Sequence, residues 1–401
     1  MNIHRHRAFL HLKALTFSPN PNPNPNPNPL FQHYYPSSPT FSTNTSDSTS
    51  FAVSYLINNF GFSPQSASRV CSTYNVCFKT AQNPDSVLTF FRNYGFSDSQ
   101  LRLTISKEPW LLSCNPSKRV FPKFQFFLSK GASTSDIVNI FTKNPYILKT
   151  SLNNKIIQAY QLIYRFLQSD KDIIDCIIRN PSFFGDSRVV SNIRLLIANG
   201  VADSNIKRML WVRSRAFQTP TCDMLKLVEE LKDLGFTTSK TTFGVALHAK
   251  LSVRKTLWEE KVDAFKKWGW SDEDVLQAFR RQPHCMLVSI DKINLVMNFW
   301  VNQLGWDALA LAKGPSVLSL SFEKRVLPRA SVLQYLLKKG LRKKDASLTC
   351  PFVVPEKLFL GMCIKGIKKE SSYLLKLYEE KLNLAYTMDK TCTSWLDFQV
   401  F

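Results

Sequence analysis

Lys107, Lys143, Arg179, Arg281 and Lys313 each stand two places before a proline, at Pro109, Pro145, Pro181, Pro283 and Pro315, and each proline opens a short apolar run. Cations repeated at one interval suit one kind of chemistry: neutralising the regularly spaced phosphates of a nucleic acid. The position has a second use, because a cation in the last turn of a helix complements the negative end of its dipole and needs no ligand. Arg213 is read in phase with the same row. On sequence alone both roles stay open.

Other cations gather where second helices are expected to start. Lys118 and Arg119, Arg254 and Lys255, and Lys324, Arg325 and Arg329 would oppose the positive end of a helix dipole there, so a ligand is the better reason for them. The densest stretch is 321–370, with twelve Lys or Arg against four Asp or Glu. Its sharpest patch is "KKGLRKKD", carrying Lys338, Lys339, Arg342, Lys343 and Lys344.

The whole chain tells the same story, with 52 Lys and Arg against 30 Asp and Glu, a formal charge of +22. Such an excess points to a polyanionic partner and says little about fold. No apolar run approaches the ~18 residues that span a bilayer, so no membrane insertion is expected. The nine cysteines hold no C-x-x-C pair and the six histidines no ligand spacing, so no metal or disulfide framework is expected. Phosphate-binding glycine loops, dinucleotide fingerprints and acidic magnesium clusters are also absent from the sequence. Neither an enzyme nor a cofactor is expected. A solenoid scaffold for peptides is a rival reading, but it has no need of so large a charge.

The elements that must position these cations repeat at about 35 residues. Gly61, Gly95, Gly131, Gly200, Gly235, Gly269, Gly305 and Gly340 mark the period, with one glycine missing near Asp170, and the prolines keep the same time. Within one repeat, "SDIVNIFTKN" begins with Ser135 and Asp136 as candidate caps and sets Ile137, Ile140 and Phe141 on one helical face. The proline pushes its predecessor out of the α region, so that helix stops near Asn144. A second stripe, Ile156, Tyr160, Ile163 and Leu167, marks the next helix. Glycine then supplies the left-handed stop. Neither helix pair buries its stripe alone, so neighbours must stack. The predicted fold is all-α: a curved α-solenoid of about eight two-helix repeats with a concave basic groove. Two stretches, "WVRSRAFQTP" (211–220) and "LHAKLSVRKT" (247–256), keep the period without its proline and are expected to bend differently. Trp110 and Tyr146, in the proline turns, are read as core rather than as platforms for bases.

The five turns Pro109-Trp110-Leu111-Leu112, Pro145-Tyr146-Ile147-Leu148, Pro181-Ser182-Phe183-Phe184, Pro283-His284-Cys285-Met286 and Pro315-Ser316-Val317-Leu318 resemble those of the mitochondrial transcription termination factor (mTERF) family, and residues 84–116 look like its land-plant organellar branch. The resemblance spans roughly residues 51–370. It implies mTERF repeats of two helices and a short 3-10 turn, in a protein that binds organellar double-stranded DNA and regulates or terminates transcription. RNA binding for group II intron splicing or transcript stability is the alternative it also implies. The protein is expected to act as a monomer on its target.

Residues 1–50 carry Arg5, Arg7 and Lys13 among apolar residues, then a Pro-Asn alternation and a Ser/Thr-rich run, with no acid before Asp47. That is the composition of an organellar transit peptide and spacer, addressed to the mitochondrion or alternatively the chloroplast. Residues 51–370 are read as the repeat domain and 371–401 as a C-terminal helix and tail.

Overall fold

Eight glycines set the rhythm of the chain. In the computed structural model, which describes residues 45–343 and 345–388, all eight period-marking glycines have positive φ, from 66° at Gly340 to 86° at Gly131. Each follows the end of a helix, where only a residue without a Cβ takes the left-handed conformation cheaply. After five of them the next residue turns inward: Phe96, Ala132, Val201, Phe236 and Trp270 are all buried. At the step that lacks its glycine, Gln168 adopts φ 54° and caps the helix Gln158–Leu167. The geometry survives there although the glycine does not.

The prolines are as regular. Pro109, Pro145, Pro283 and Pro315 each open a five-residue 3-10 turn, and Pro181 leads into a shorter one, Phe183–Gly185. The residue before each proline is extended in nearly one conformation, from φ −130°, ψ 62° at Gly314 to φ −147°, ψ 86° at Gln282. Steric conflict with the proline ring excludes the α region there and ends the helix.

Helix starts are fixed by side chains. Thr134–Lys143 is capped by Ser133, whose hydroxyl accepts from the Asp136 amide while the Asp136 carboxylate accepts from the Ser133 amide. This corrects the expected cap at Ser135 or Asp136: Asp136 closes the box instead of opening the helix. Ser97 with Gln100 and Ser271 with Asp274 repeat the arrangement. Ile156, Tyr160, Ile163 and Leu167 are all buried, as their spacing predicts.

All described elements are helices or helical turns. The chain divides into two compact units between Leu225 and Lys226, inside the helix Thr221–Asp233. In the first unit the helices Asp98–Lys107, Thr134–Lys143, Asp170–Arg179 and Asp203–Arg213 pack each on the next, and their 3-10 turns stack as well. Aromatic rings fill the space between repeats, with Phe124 4.8 Å from Phe141 and Phe127 6.2 Å from Phe184. In the second unit Thr241–Ser252, Asp272–Arg281 and Ala308–Lys313 pack in the same manner. The helix Ser371–Met388 lies against Leu327–Lys338, and the helix Thr45–Phe60 begins inside the stretch read as spacer. Residues 1–44 and 389–401, with the transit-peptide reading, lie outside the described residues.

The two proline-less stretches differ from each other. Ser214–Gln218 forms a 3-10 turn with no proline, preceded by Arg213 at φ −151°, ψ 64°. In the other, the helix Thr241–Ser252 runs past the expected turn and hands over at Val253 to Lys255–Lys266.

Candidate nucleic-acid interface

The cations two places before proline all end the first helix of their repeat, and the structure divides them into two groups. Lys107 donates from Nζ to the carbonyls of Thr142 (3.2 Å) and Lys143 (3.1 Å), at the end of the next repeat's first helix. Arg179 likewise reaches the carbonyl of Trp211 at 2.8 Å, and that of Asp175 in its own helix at 3.2 Å. These two cap exposed carbonyls across a repeat boundary. Lys143, Arg281 and Lys313 are exposed and hold no hydrogen bond or ion pair to another described residue. Arg281 and Lys313 hold equivalent places on neighbouring repeats of the second unit, and Lys143 holds the same place in its own repeat of the first.

Arg213 does not belong to the row. Its backbone occupies the place of Asn144 and Asn180, immediately before the turn, so it sits one residue later than sequence spacing suggested. Without a proline the register slips by one, and the aligned residue is the exposed Val212. Burial, and then the neighbouring Arg215 charge, push the Arg213 guanidinium below its ordinary pKa.

The clusters at second-helix starts also separate. Lys118 is exposed, and Arg119 lies 5.4 Å over the Trp110 ring, whose indole donates to Glu108 at 2.6 Å. Arg254 and Lys255 are exposed at the start of Lys255–Lys266, where no side chain caps the helix. Lys324 is exposed at the third position after its cap Ser321. Arg325 and Arg329 are corrections. Arg329 is 0% exposed, donates to the carbonyls of Pro351, Phe352 and Val354, and lies 4.7 Å over Phe359. Arg325 donates to the carbonyls of Phe352 and Val354 at 3.0 and 2.7 Å. Together they clamp the chain after Pro351 and are not available to a phosphate.

In the dense patch Lys338 and Lys343 are exposed, Lys339 leans on Tyr335 (5.8 Å), and Arg342 donates to the Ser347 carbonyl at 2.7 Å. Lys344 lies outside the described residues. Trp110 is buried, as read, while Tyr146 is 49% exposed, its ring beside Gly185.

Formal charge overstates what a ligand meets. Lys123, Lys250 and Lys261 are buried, with Nζ on the Arg119 carbonyl, the Glu230 carboxylate and the Val288 carbonyl respectively. Burial lowers all three pKa values. Sequence reasoning missed the asparagine that joins neighbouring turns: Asn144 donates to the Pro181 carbonyl at 3.1 Å, and Asn180 to the Gln218 side chain at 3.0 Å. Its signal was present in the Asn-Pro pairs at 144–145 and 180–181, where the asparagine stands directly after the row cation. Among the described residues no helix is long and apolar enough to cross a membrane, and no His, Cys, Asp or Glu cluster could hold a metal.

A model of the mTERF family matches residues 88–242 and again residues 200–360. The chain is also similar to "Transcription termination factor MTERF15, mitochondrial" of Arabidopsis thaliana, 24% identical over 182 residues, which are 37% of this chain and 41% of that protein. It thus spans less than half the length of that relative.

Proposed function

The chain belongs to the mTERF family, and from that premise we propose that it binds organellar double-stranded DNA through its phosphates and regulates or terminates transcription. One observation supports the reading: Arg281 and Lys313 in one unit, and Lys143 in the other, each end the first helix of a repeat, exposed and without a partner among the described residues. Lys338 and Lys343 extend the supply of exposed charge. Phosphate contacts of this kind supply most of the affinity and little of the sequence preference. The mitochondrion is the proposed compartment, supported by the basic, acid-free start of the chain and by the name of the Arabidopsis relative.

The test compares two variants of the full chain on duplex DNA across a salt titration. Lys143→Ala with Arg281→Ala and Lys313→Ala should lower the log–log salt slope by roughly 0.9 for each lost contact. Lys107→Ala with Arg179→Ala should leave the slope nearly unchanged and reduce stability instead, because those cations bind the protein's own carbonyls. Equal effects from the two variants would overturn the assignment. A structured RNA outcompeting the duplex would move the function to splicing or transcript stability, and a response flat in salt for both would return the case to a protein scaffold.

A further inference from the structure

The last described repeat carries a surface that the phosphate row does not use. Its stretch 357–369, "KLFLGMCIKGIKK", holds four lysines and no acid. The helix Glu356–Phe359 runs directly into the wider turn Leu360–Lys365, and together they bury Phe359, Cys363 and Ile364 against the protein. Leu358 and Met362, four residues apart on the same helical stretch, are instead 52% and 58% exposed. Lys357, Lys365, Lys368 and Lys369 border them in the chain, exposed and in no ion pair with another described residue. The acids at either end of the stretch are engaged from within. Glu356 accepts from the Tyr378 hydroxyl at 3.0 Å and lies 3.8 Å from Arg329, and Glu370 accepts from the Tyr335 hydroxyl at 2.9 Å.

Lysines alone would suit any polyanion, and the apolar pair decides among them. A phosphate backbone offers nothing to a leucine or a methionine side chain. A groove for an acidic peptide would shelter its apolar lining, whereas these two side chains are more than half exposed. Exposed apolar side chains bordered by cations match the boundary between anionic headgroups and acyl chains. We propose that this face docks on an anionic phospholipid membrane, with Leu358 and Met362 reaching past the headgroups and the four lysines meeting their phosphates. The chain lies on such a membrane and does not span it, in keeping with the lack of a spanning helix among the described residues. The inference goes beyond nucleic-acid binding and calls on none of Lys143, Arg281 and Lys313.

A chain of charge +22 adheres to anionic vesicles through any basic surface, so the test must separate this face from the rest. The full chain is cosedimented with vesicles of phosphatidylcholine, alone or in equal parts with phosphatidylglycerol, and is titrated separately with duplex DNA. The wild type should bind the mixed vesicles and not the neutral ones. Leu358→Gln with Met362→Gln keeps every charge and changes two exposed positions; it should weaken vesicle binding about tenfold and leave duplex affinity unchanged. Lys368→Gln with Lys369→Gln should weaken vesicle binding by about fivefold for each lysine removed. Absence of wild-type binding to the mixed vesicles, or binding untouched by the glutamine pair at 358 and 362, overturns the proposal, because general charge attraction then accounts for any adhesion. Loss of duplex affinity in the 368 and 369 variant, with vesicle binding intact, assigns those lysines to nucleic acid and overturns it as well. Failure of the wild type to bind duplex or RNA would overturn the nucleic-acid reading and leave the membrane face standing.

Discussion

The two stretches that lack proline reached opposite outcomes. At 214–218 the 3-10 turn persists, while at 247–253 it is replaced by continued helix. The first is held from outside: Asn192, fully buried, donates to the carbonyls of Phe217 (2.9 Å) and Thr219 (2.7 Å), and Arg179 holds the carbonyl of Trp211. The second has a different anchor. Lys250 projects from the continued helix into an ion pair with Glu230 at 2.9 Å and lies 4.6 Å over Trp258, with its side chain 0% exposed. Proline therefore is one of two ways to set the turn, the other being a grip by the preceding repeat. At 247–252 the chain stays helical instead, with Lys250 buried against Glu230.

Three substitutions would break or sharpen this contrast. The largest effect belongs to Lys250→Ala, which removes the ammonium facing the buried Glu230 carboxylate and should cost about 3–5 kcal/mol in denaturant unfolding. Replacing both partners together, Lys250→Met with Glu230→Leu, should recover most of that loss. Next comes Asn192→Leu, which leaves two carbonyls without their donor and should cost about 2 kcal/mol. Hydrogen exchange at 214–219 should rise with it, and unchanged protection there would show that the turn needs no grip. The smallest effect is a gain. Ser214→Pro meets a φ of −53° and an extended predecessor already suited to a proline, so it should stabilise by about 0.5 kcal/mol by restricting the unfolded chain. If it destabilises instead, the Ser214 hydroxyl matters more to its neighbour Cys176 than the ring does to the backbone.

Much of the fold was legible because its punctuation is local. A glycine that ends a helix and a proline that forbids its continuation act on their own residues, so period, turn and helix face could be read without tertiary information. Gln168 shows how far this extends: the period located a left-handed residue where the glycine was missing. The site was less legible because its decisive partners are distant. Nothing near Lys107 announces that its ammonium lies on carbonyls one repeat away, while Lys143, of the same type in the same place, is exposed. Arg329 read as a phosphate-binding candidate, yet the carbonyls that bury it come from Pro351 and the residues after it. Arg213 was misplaced for a local reason, since without its own proline the count along the cation row cannot resolve a one-residue slip.

The hydrogen bonds from Lys107 to Thr142 and Lys143, and from Arg179 to Trp211, cross from one repeat to the next. Each fastens the end of a helix by a hook rooted in its predecessor. Pulled from its two termini, such a chain would not release its length one repeat at a time, because freeing a hook bares the helix end it was holding. Its force–extension trace should show fewer and longer steps over residues 98–218 than the repeat length alone would give, and cutting the hooks should shorten them.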